Sequence, residues 1–183
     1  MFGKITQDMI DEIQVEAGAI LKNFDPEDPS SVADSDFICA TTGGITVNCV
    51  PTFEDWGSDI DNCPDNTKEM KKITGYECTF AFTSIGVSES FIKLALGAAD
   101  IVEGKVVPRT EVKATDFTNL WFVSDKSAGG MLAILLKNAL STGGFSLKTT
   151  KKNKGQVSVT LTGHVSITDP DAVPMEFYST AAA

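Results

Sequence analysis

Few residues in this chain carry side chains suited to chemistry, so their spacing decides what they could do. The single histidine, His164, is the first candidate for general acid–base work. It alternates with Ser and Thr, which places it on the polar face of a strand, and no Ser–His–Asp or Cys–His set can be built around it by spacing. The four cysteines, Cys39, Cys49, Cys63 and Cys78, lie 10, 14 and 15 residues apart and form no Cys-x-x-Cys pair. A zinc knuckle or thioredoxin-like site needs that pair. Free thiols are therefore expected, with Cys49 and Cys78 as small buried groups inside strands. Asp59-x-Asp61-x-x-x-Asp65 has the outline of a calcium loop but lacks its central glycine and closing glutamate. Glu27-Asp28 and Glu54-Asp55 sit in acidic surroundings and read as surface charge, not as a glycosidase pair. The glycine pairs at 43–44, 129–130 and 143–144 open no Lys-Ser/Thr helix, so they read as turns and not as phosphate loops. The expectation is a protein without catalytic residues, metal or cofactor.

Charge carries more information. Lys and Arg number 15 and Asp and Glu 25 in 183 residues, a net charge of −10. That balance disfavours tight nucleic-acid binding, which needs cations to neutralise phosphates. It leaves room for a surface that a polyanion passes without sticking. The charge is also divided: residues 1–66 carry a net −12 and residues 67–183 a net +2. Lys137, Lys148, Lys151, Lys152 and Lys154 lie in a stretch with no acidic residue. Opposite charges on separate surfaces of one molecule suit a head-to-tail contact between copies. No apolar run is long enough for a transmembrane helix, and the opening residues lack the pattern of a signal peptide. Synthesis in a cytoplasm, with no membrane partner, is the expectation.

The elements that would position these residues are mostly strands. Thr6 to Ile13 reads as a short helix capped by Thr6, and 15–21 as a strand or bulged strand. Residues 25–31 form a loop by composition. In 45–54, Ile45, Val47, Cys49 and Phe53 face one way, and Thr46, Asn48, Thr52 and Glu54 the other. In 76–83, Tyr76, Cys78, Phe80 and Phe82 oppose Glu77, Thr79, Ala81 and Thr83. Each is a half-buried strand with one wet face, and 57–74 between them is a long acidic loop. Ser88 to Gly97 is a helix with a Ser cap and a Gly stop. Residues 100–116 read as irregular and 120–123 as a short strand containing Trp121. Met131 to Leu140 suits a buried helix or a strand, and its flanking glycine pairs favour the strand. A short strand over 145–150, a turn at 152–155 and a strand over 156–167 follow, the last directing Val157, Val159, Leu161, Val165 and Ile167 to the core. From Thr168 a C-terminal extension ends in Ala181-Ala182-Ala183, expected to fray. The whole, 1–183, reads as one mainly β domain with an N-terminal arm over 1–12: an antiparallel two-sheet sandwich or barrel with one flanking α-helix.

The order of segments resembles the phage major tail protein family, the tail tube proteins. The segments are 13–19 through Phe24-Asp25-Pro26, Thr41-Thr42-Gly43-Gly44-Ile45, Asp61-Asn62-Cys63-Pro64 through Thr67-Lys68-Glu69, Lys137-Asn138-Ala139-Leu140 through Gly143-Gly144, and Thr168-Asp169-Pro170 through Pro174-Met175-Glu176-Phe177-Tyr178. They span nearly the whole chain. The resemblance implies a structural virion protein, assembled in the host cytoplasm and related to the tubes of contractile tails and type VI secretion. In that family a long β-hairpin from each of six subunits joins an inter-subunit barrel, and the rings stack head to tail around a lumen that DNA crosses. Laid on this sequence, the lumen would be lined by Thr46, Asn48, Thr52, Glu54, Glu77, Thr79 and Thr83. Ring-to-ring contact would set Asp59, Asp61 and Asp65 against Lys148, Lys151, Lys152 and Lys154. Implied partners are further copies of the chain and the tape measure, tail terminator and distal tail or baseplate proteins, with DNA only in transit. Two other readings stand beside this one: a tube subunit of a contractile injection or secretion apparatus, and a monomeric β-sandwich binding module.

Overall fold

A computed structural model describes residues 3–180, so the expected fraying of Ala181-Ala182-Ala183 lies outside the described residues. The elements in chain order are α1 (Gln7–Asp11), β1 (Ala19–Leu21), β2 (Thr41–Asp55), β3 (Lys71–Ser84), α2 (Glu89–Leu96), β4 (Ala99–Val102), β5 (Lys105–Pro108), β6 (Thr118–Asp125), β7 (Met131–Ser141), β8 (Ser146–Thr150), β9 (Asn153–Thr162) and β10 (Met175–Ser179). The fold is mainly β and wholly antiparallel in its strand pairing, as expected. Among the described residues no helix is long and apolar enough to cross a membrane.

One large sheet runs β1-β6-β7-β9-β3-β2, with β10 added to β7 and β8 added to β9; β4 and β5 form a separate hairpin. The large sheet is open, with β1 at one end of the path and β2 at the other. β7 joins its two halves. Residues 131–136 pair with β6 and 132–136 also with β10; beyond them Ala139 still faces Thr118 of β6, and Leu140 and Ser141 pair with β9. The switch falls at Asn138, whose φ is +47° and whose side-chain amide donates to the His164 carbonyl at 3.0 Å. Both halves contribute to a single apolar cluster: Ile20, Leu120, Phe122, Ile134 and Leu136 from one, Cys78, Phe80, Phe82, Val157, Val159 and Leu161 from the other. A second cluster (Leu21, Trp121, Ala133, Leu135) covers the back of the first half, with Phe24 and Tyr178 edge-on or tilted against Trp121 at 5.5 and 5.4 Å.

α2 forms where its caps predict. Ser88 Oγ accepts from the Phe91 N–H at 3.2 Å, and Gly97 ends the helix at φ +76°. Phe91 and Ala95 are its buried face, and Ser141 Oγ donates to the Ala95 carbonyl at 2.7 Å, fastening the helix to β7. Behind α2, the β4–β5 hairpin is tied to the turn at Ala114–Asp116 by charge. Arg109 Nη2 lies 2.6 Å from Asp116 Oδ1, and Arg109 Nε lies 2.9 Å from Asp100 Oδ2 without the direction of a hydrogen bond. The Asp116 side chain is fully buried (0% exposed) and also accepts from the Lys113 N–H at 2.8 Å. Burial raises the Asp116 pKa, but the Lys113 N–H and the Arg109 guanidinium outweigh it and hold the carboxyl below its ordinary value.

Several expectations are corrected. Residues 100–116 are irregular only in part: Glu103 and Gly104, both at positive φ, turn β4 into β5, whereas 109–113 has no regular structure. Within the C-terminal extension, β10 lies in the sheet beside β7. Its Glu176 pairs with Lys137 and accepts from the Tyr178 hydroxyl at 2.7 Å. Hydrogen bonding to Lys137 lowers the Glu176 pKa, and hydrogen bonding to Glu176 raises that of Tyr178. The strand expected over 156–167 ends at Thr162, leaving Val165 and Ile167 54% and 96% exposed. At Gly163 a Cβ would stand 2.7 Å from Leu136 Cδ1 and 3.1 Å from the Pro174 carbonyl, so only glycine fits this close approach; the Gly163 and His164 N–H groups turn to the Cys78 and Lys137 carbonyls as the strand ends.

Candidate functional site

The β2–β3 hairpin is the longest pairing in the molecule, with Thr41 opposite Ser84 and Asp55 opposite Lys71. Alternation alone divides its residues, and the register shows the expected division. Ile45, Val47 and Cys49 pair with Phe82, Phe80 and Cys78 on the face that meets the core. Thr46, Asn48 and Thr52 pair with Ala81, Thr79 and Gly75 on the opposite face, with Thr42 across from Thr83. Val50 stands there too, opposite Glu77 and 55% exposed. A bulge between Thr52 and Phe53 sets Thr74 as an extra residue on β3.

The wet face is wider than the hairpin. β9 lies beside β3 with Thr162, Thr160 and Ser158 in register with Thr79, Ala81 and Thr83. Hydroxyls and amides meet across these strands: Asn48 Nδ2 donates to Thr79 Oγ1 at 3.3 Å, Thr83 and Ser158 hydroxyls lie 3.4 Å apart, and those of Thr142 and Thr162 2.9 Å. The outward positions of β9 had been read from the sequence as polar, but their continuity with the hairpin follows only from the strand order. Of the two carboxylates assigned to this face, Glu77 stands opposite Val50 and Glu54 follows Thr52 by two residues on β2. Glu54 lies at the hairpin end, where it accepts from Trp56 Nε1 at 2.9 Å and faces Lys72 in register. Lys72 Nζ sits 4.1 Å above the Trp56 ring.

Beyond Cys78 the hairpin leaves the core. Residues 71–77 are all exposed, and β3 has β9 as a neighbour only from Thr79 to Ser84. The distal part is therefore a two-stranded arm, and Phe53 and Tyr76, expected in the core, are 59% and 38% exposed. The loop at its end is shorter than the expected 57–74, since β3 already begins at Lys71. The Trp56 N–H donates to the Met70 carbonyl at 3.0 Å, and Cys63 Sγ lies 3.4 Å from Thr67 Oγ1. Lys71 Nζ, 3.0 Å away, and the Gly57 N–H hold the Asp55 carboxyl below its ordinary range. Asp59, Asp61 and Asp65 are exposed and make no ion pair among the described residues. Nor do three or more His, Cys, Asp or Glu side chains converge anywhere among the described residues in a way that could hold a metal ion.

Lys148, Lys151, Lys152 and Lys154 cluster on the β8–β9 hairpin, all exposed. The turn itself is Lys151-Lys152, one step earlier than expected, because Asn153 already pairs with Thr150. This hairpin and the acidic loop lie at opposite ends of the sheet. From Asn153 to Val157 on β9, and on from its partner Ser84 to Lys71 on β3, the path measured along the strands is roughly 55 Å. The structure thus brings the seven proposed lining residues onto one hairpin, and places the proposed acidic and basic contacts at opposite ends of the sheet. His164 joins neither group: its Nδ1 lies 3.1 Å from the Asn138 carbonyl and its ring is edge-on to Phe117 at 5.3 Å. Neither a protein-family model nor a curated protein matches the chain.

Proposed function

We propose that the chain is the structural subunit of a phage tail tube, polymerising as six-membered rings stacked head to tail around a conduit for DNA. The observation that carries this reading is the hydroxyl-lined sheet face that ends on β2, a fifteen-residue strand at the open end of the sheet. Such an edge invites pairing with another copy, and closing a ring of copies into a barrel removes it. Four strands per copy (β8, β9, β3 and β2) and six copies make a 24-stranded barrel. At about 4.8 Å between strands and a tilt near 40°, its diameter is roughly 50 Å. Side chains narrow that bore, which still exceeds the width of a DNA duplex. The middle of this face, Thr, Ser and Asn with Glu77, offers phosphate no cation and so does not retain DNA; Lys148, in register with Gln156, and Lys154 stand only at its β8–β9 end.

Stacking is supported by the opposed ends. Lys148, Lys151, Lys152 and Lys154 of one ring would meet Asp59, Asp61 and Asp65 of the next, with close contact between like ends disfavoured. The binding-module reading is less supported, because Trp121 is buried and Trp56 is the exposed tryptophan. A tube that delivers protein shares every geometric feature named here.

Negative-stain microscopy of the purified protein tests the reading. Tubes or stacked rings with an open centre are expected, and a monodisperse monomer at high concentration would overturn it. Lys151→Glu, Lys152→Glu and Lys154→Glu together should block tube growth while leaving the subunit folded; normal tubes from that variant would sink the ring-to-ring contact.

A further inference from the structure

Three of the four cysteines belong to one side of the sheet, yet only two sulfurs meet. Cys49 and Cys78 are direct partners in the β2–β3 ladder, and their Sγ atoms are 3.5 Å apart. Directly opposed residues in antiparallel strands have Cα atoms about 4.5–5.5 Å apart, inside the range of roughly 4.4–6.8 Å that a disulfide spans. The other two thiols have different neighbours. Cys63 lies by the Thr67 hydroxyl in the end loop, and Cys39 by the Ser84 hydroxyl. We propose that Cys49 and Cys78 are an oxidative modification site, which a small peroxide converts into a cross-strand disulfide at the root of the β2–β3 arm.

The two sulfurs are not equivalent. Cys78 is fully buried in the core cluster, whereas Cys49 is partly exposed at its border. Burial and the adjacent Cys49 sulfur push the Cys78 thiol up to about 12, so Cys49 is the first to react. Its thiolate attacks one peroxide oxygen; the O–O bond breaks, hydroxide leaves with the electron pair and takes up the proton that Cys49 released. Cys49 is then a sulfenic acid. Cys78 sulfur attacks Cys49 Sγ, the S–O bond breaks, and the departing hydroxide leaves as water with the Cys78 proton. Two thiols and hydrogen peroxide become one disulfide and two waters. The sulfurs need to close by about 1.5 Å to reach the ~2.05 Å bond, a movement that side-chain rotation supplies without a change of register.

The position gives the bond a consequence. Cys49 and Cys78 stand where the hairpin leaves the core, since residues 71–77 are exposed and 78–80 are buried. A disulfide there pins the arm at its base.

The test uses the full chain, folded, treated with hydrogen peroxide and analysed by intact mass, with circular dichroism confirming the native state. The expected product is lighter by two hydrogens, has two reactive thiols in place of four after unfolding, and reverts with dithiothreitol. Trypsin leaves Cys39, Cys49 and Cys63 on one peptide between Lys22 and Lys68. The linkage is therefore placed in Cys39→Ser/Cys63→Ser, where residues 23–68 should be joined to the peptide carrying Cys78. Cys49→Ser should abolish the mass loss; should that variant not fold, Cys49→Ala replaces it. Oxygen addition at Cys49 with Cys78 still reduced would overturn the proposal. So would four free thiols at a peroxide dose that oxidises the unfolded chain.

Discussion

Arg109→Met is the sharpest test of how the flank behind α2 is held. The Asp116 side chain is fully buried and Arg109 is 14% exposed, with 2.6 Å between Nη2 and Oδ1. Removing the guanidinium leaves a buried carboxylate with the Lys113 N–H as its hydrogen-bond donor among the described residues. Breaking a buried pair in this way costs about 3–5 kcal/mol. In a chain of this length each kcal/mol lowers Tm by about 2–4 °C, so a fall of roughly 10 °C is expected. The pH dependence identifies the cause. In the native protein the Asp116 pKa is depressed, so its contribution is complete above the unfolded value near ~3.9 and is lost as pH falls through the lower folded value. In Arg109→Met burial acts without that attraction, the pKa moves up, and protonation relieves the penalty. Urea unfolding followed by tryptophan fluorescence should therefore show the gap between variant and native protein narrowing from neutral pH towards pH 4. A penalty under about 1 kcal/mol, or one that does not change with pH, would refute the assignment of Asp116 as a buried ion held by Arg109.

Three other substitutions probe separate parts of the fold. Phe80→Ala removes one of the two largest fully buried side chains and should cost about 3–5 kcal/mol, read as a lower urea midpoint with an unchanged m-value. Ser88→Ala removes the acceptor for the Phe91 N–H and should cost about 1 kcal/mol by the same assay. Glu176→Gln removes the carboxylate that raises Tyr178, so Tyr178 should ionise at lower pH in an NMR titration; an unmoved curve would mean that the hydrogen bond does not set it.

The strand faces were legible because alternation is a local signal. Thr46, Asn48 and Thr52 against Ile45, Val47 and Cys49 needed only the two-residue period. Met131–Ser141 was ambiguous for the opposite reason: paired on both sides and buried, it shows no period. The β4–β5 hairpin was missed although Glu103-Gly104 marks its turn, because four-residue strands are too short to display alternation. Ile167 was misplaced because its spacing continues that of Val157, Val159 and Leu161, while the close packing of Gly163 against Leu136 and Pro174 is a long-range contact. The width of the polar face and the path of roughly 55 Å along the strands between charged ends depend on β9 lying beside β3, a long-range pairing that no local pattern encodes.

The place of β10 sets a timetable for synthesis. β2 and β3, the strands proposed to meet other copies, are complete by residue 84. β7 does not gain β10 until residues 175–179 have been made. Met175, part of the same core cluster as Phe80 and Leu161, arrives equally late. A chain still on the ribosome therefore holds β2 and β3 before its core can close, and the fold is complete only once the last strand has been made.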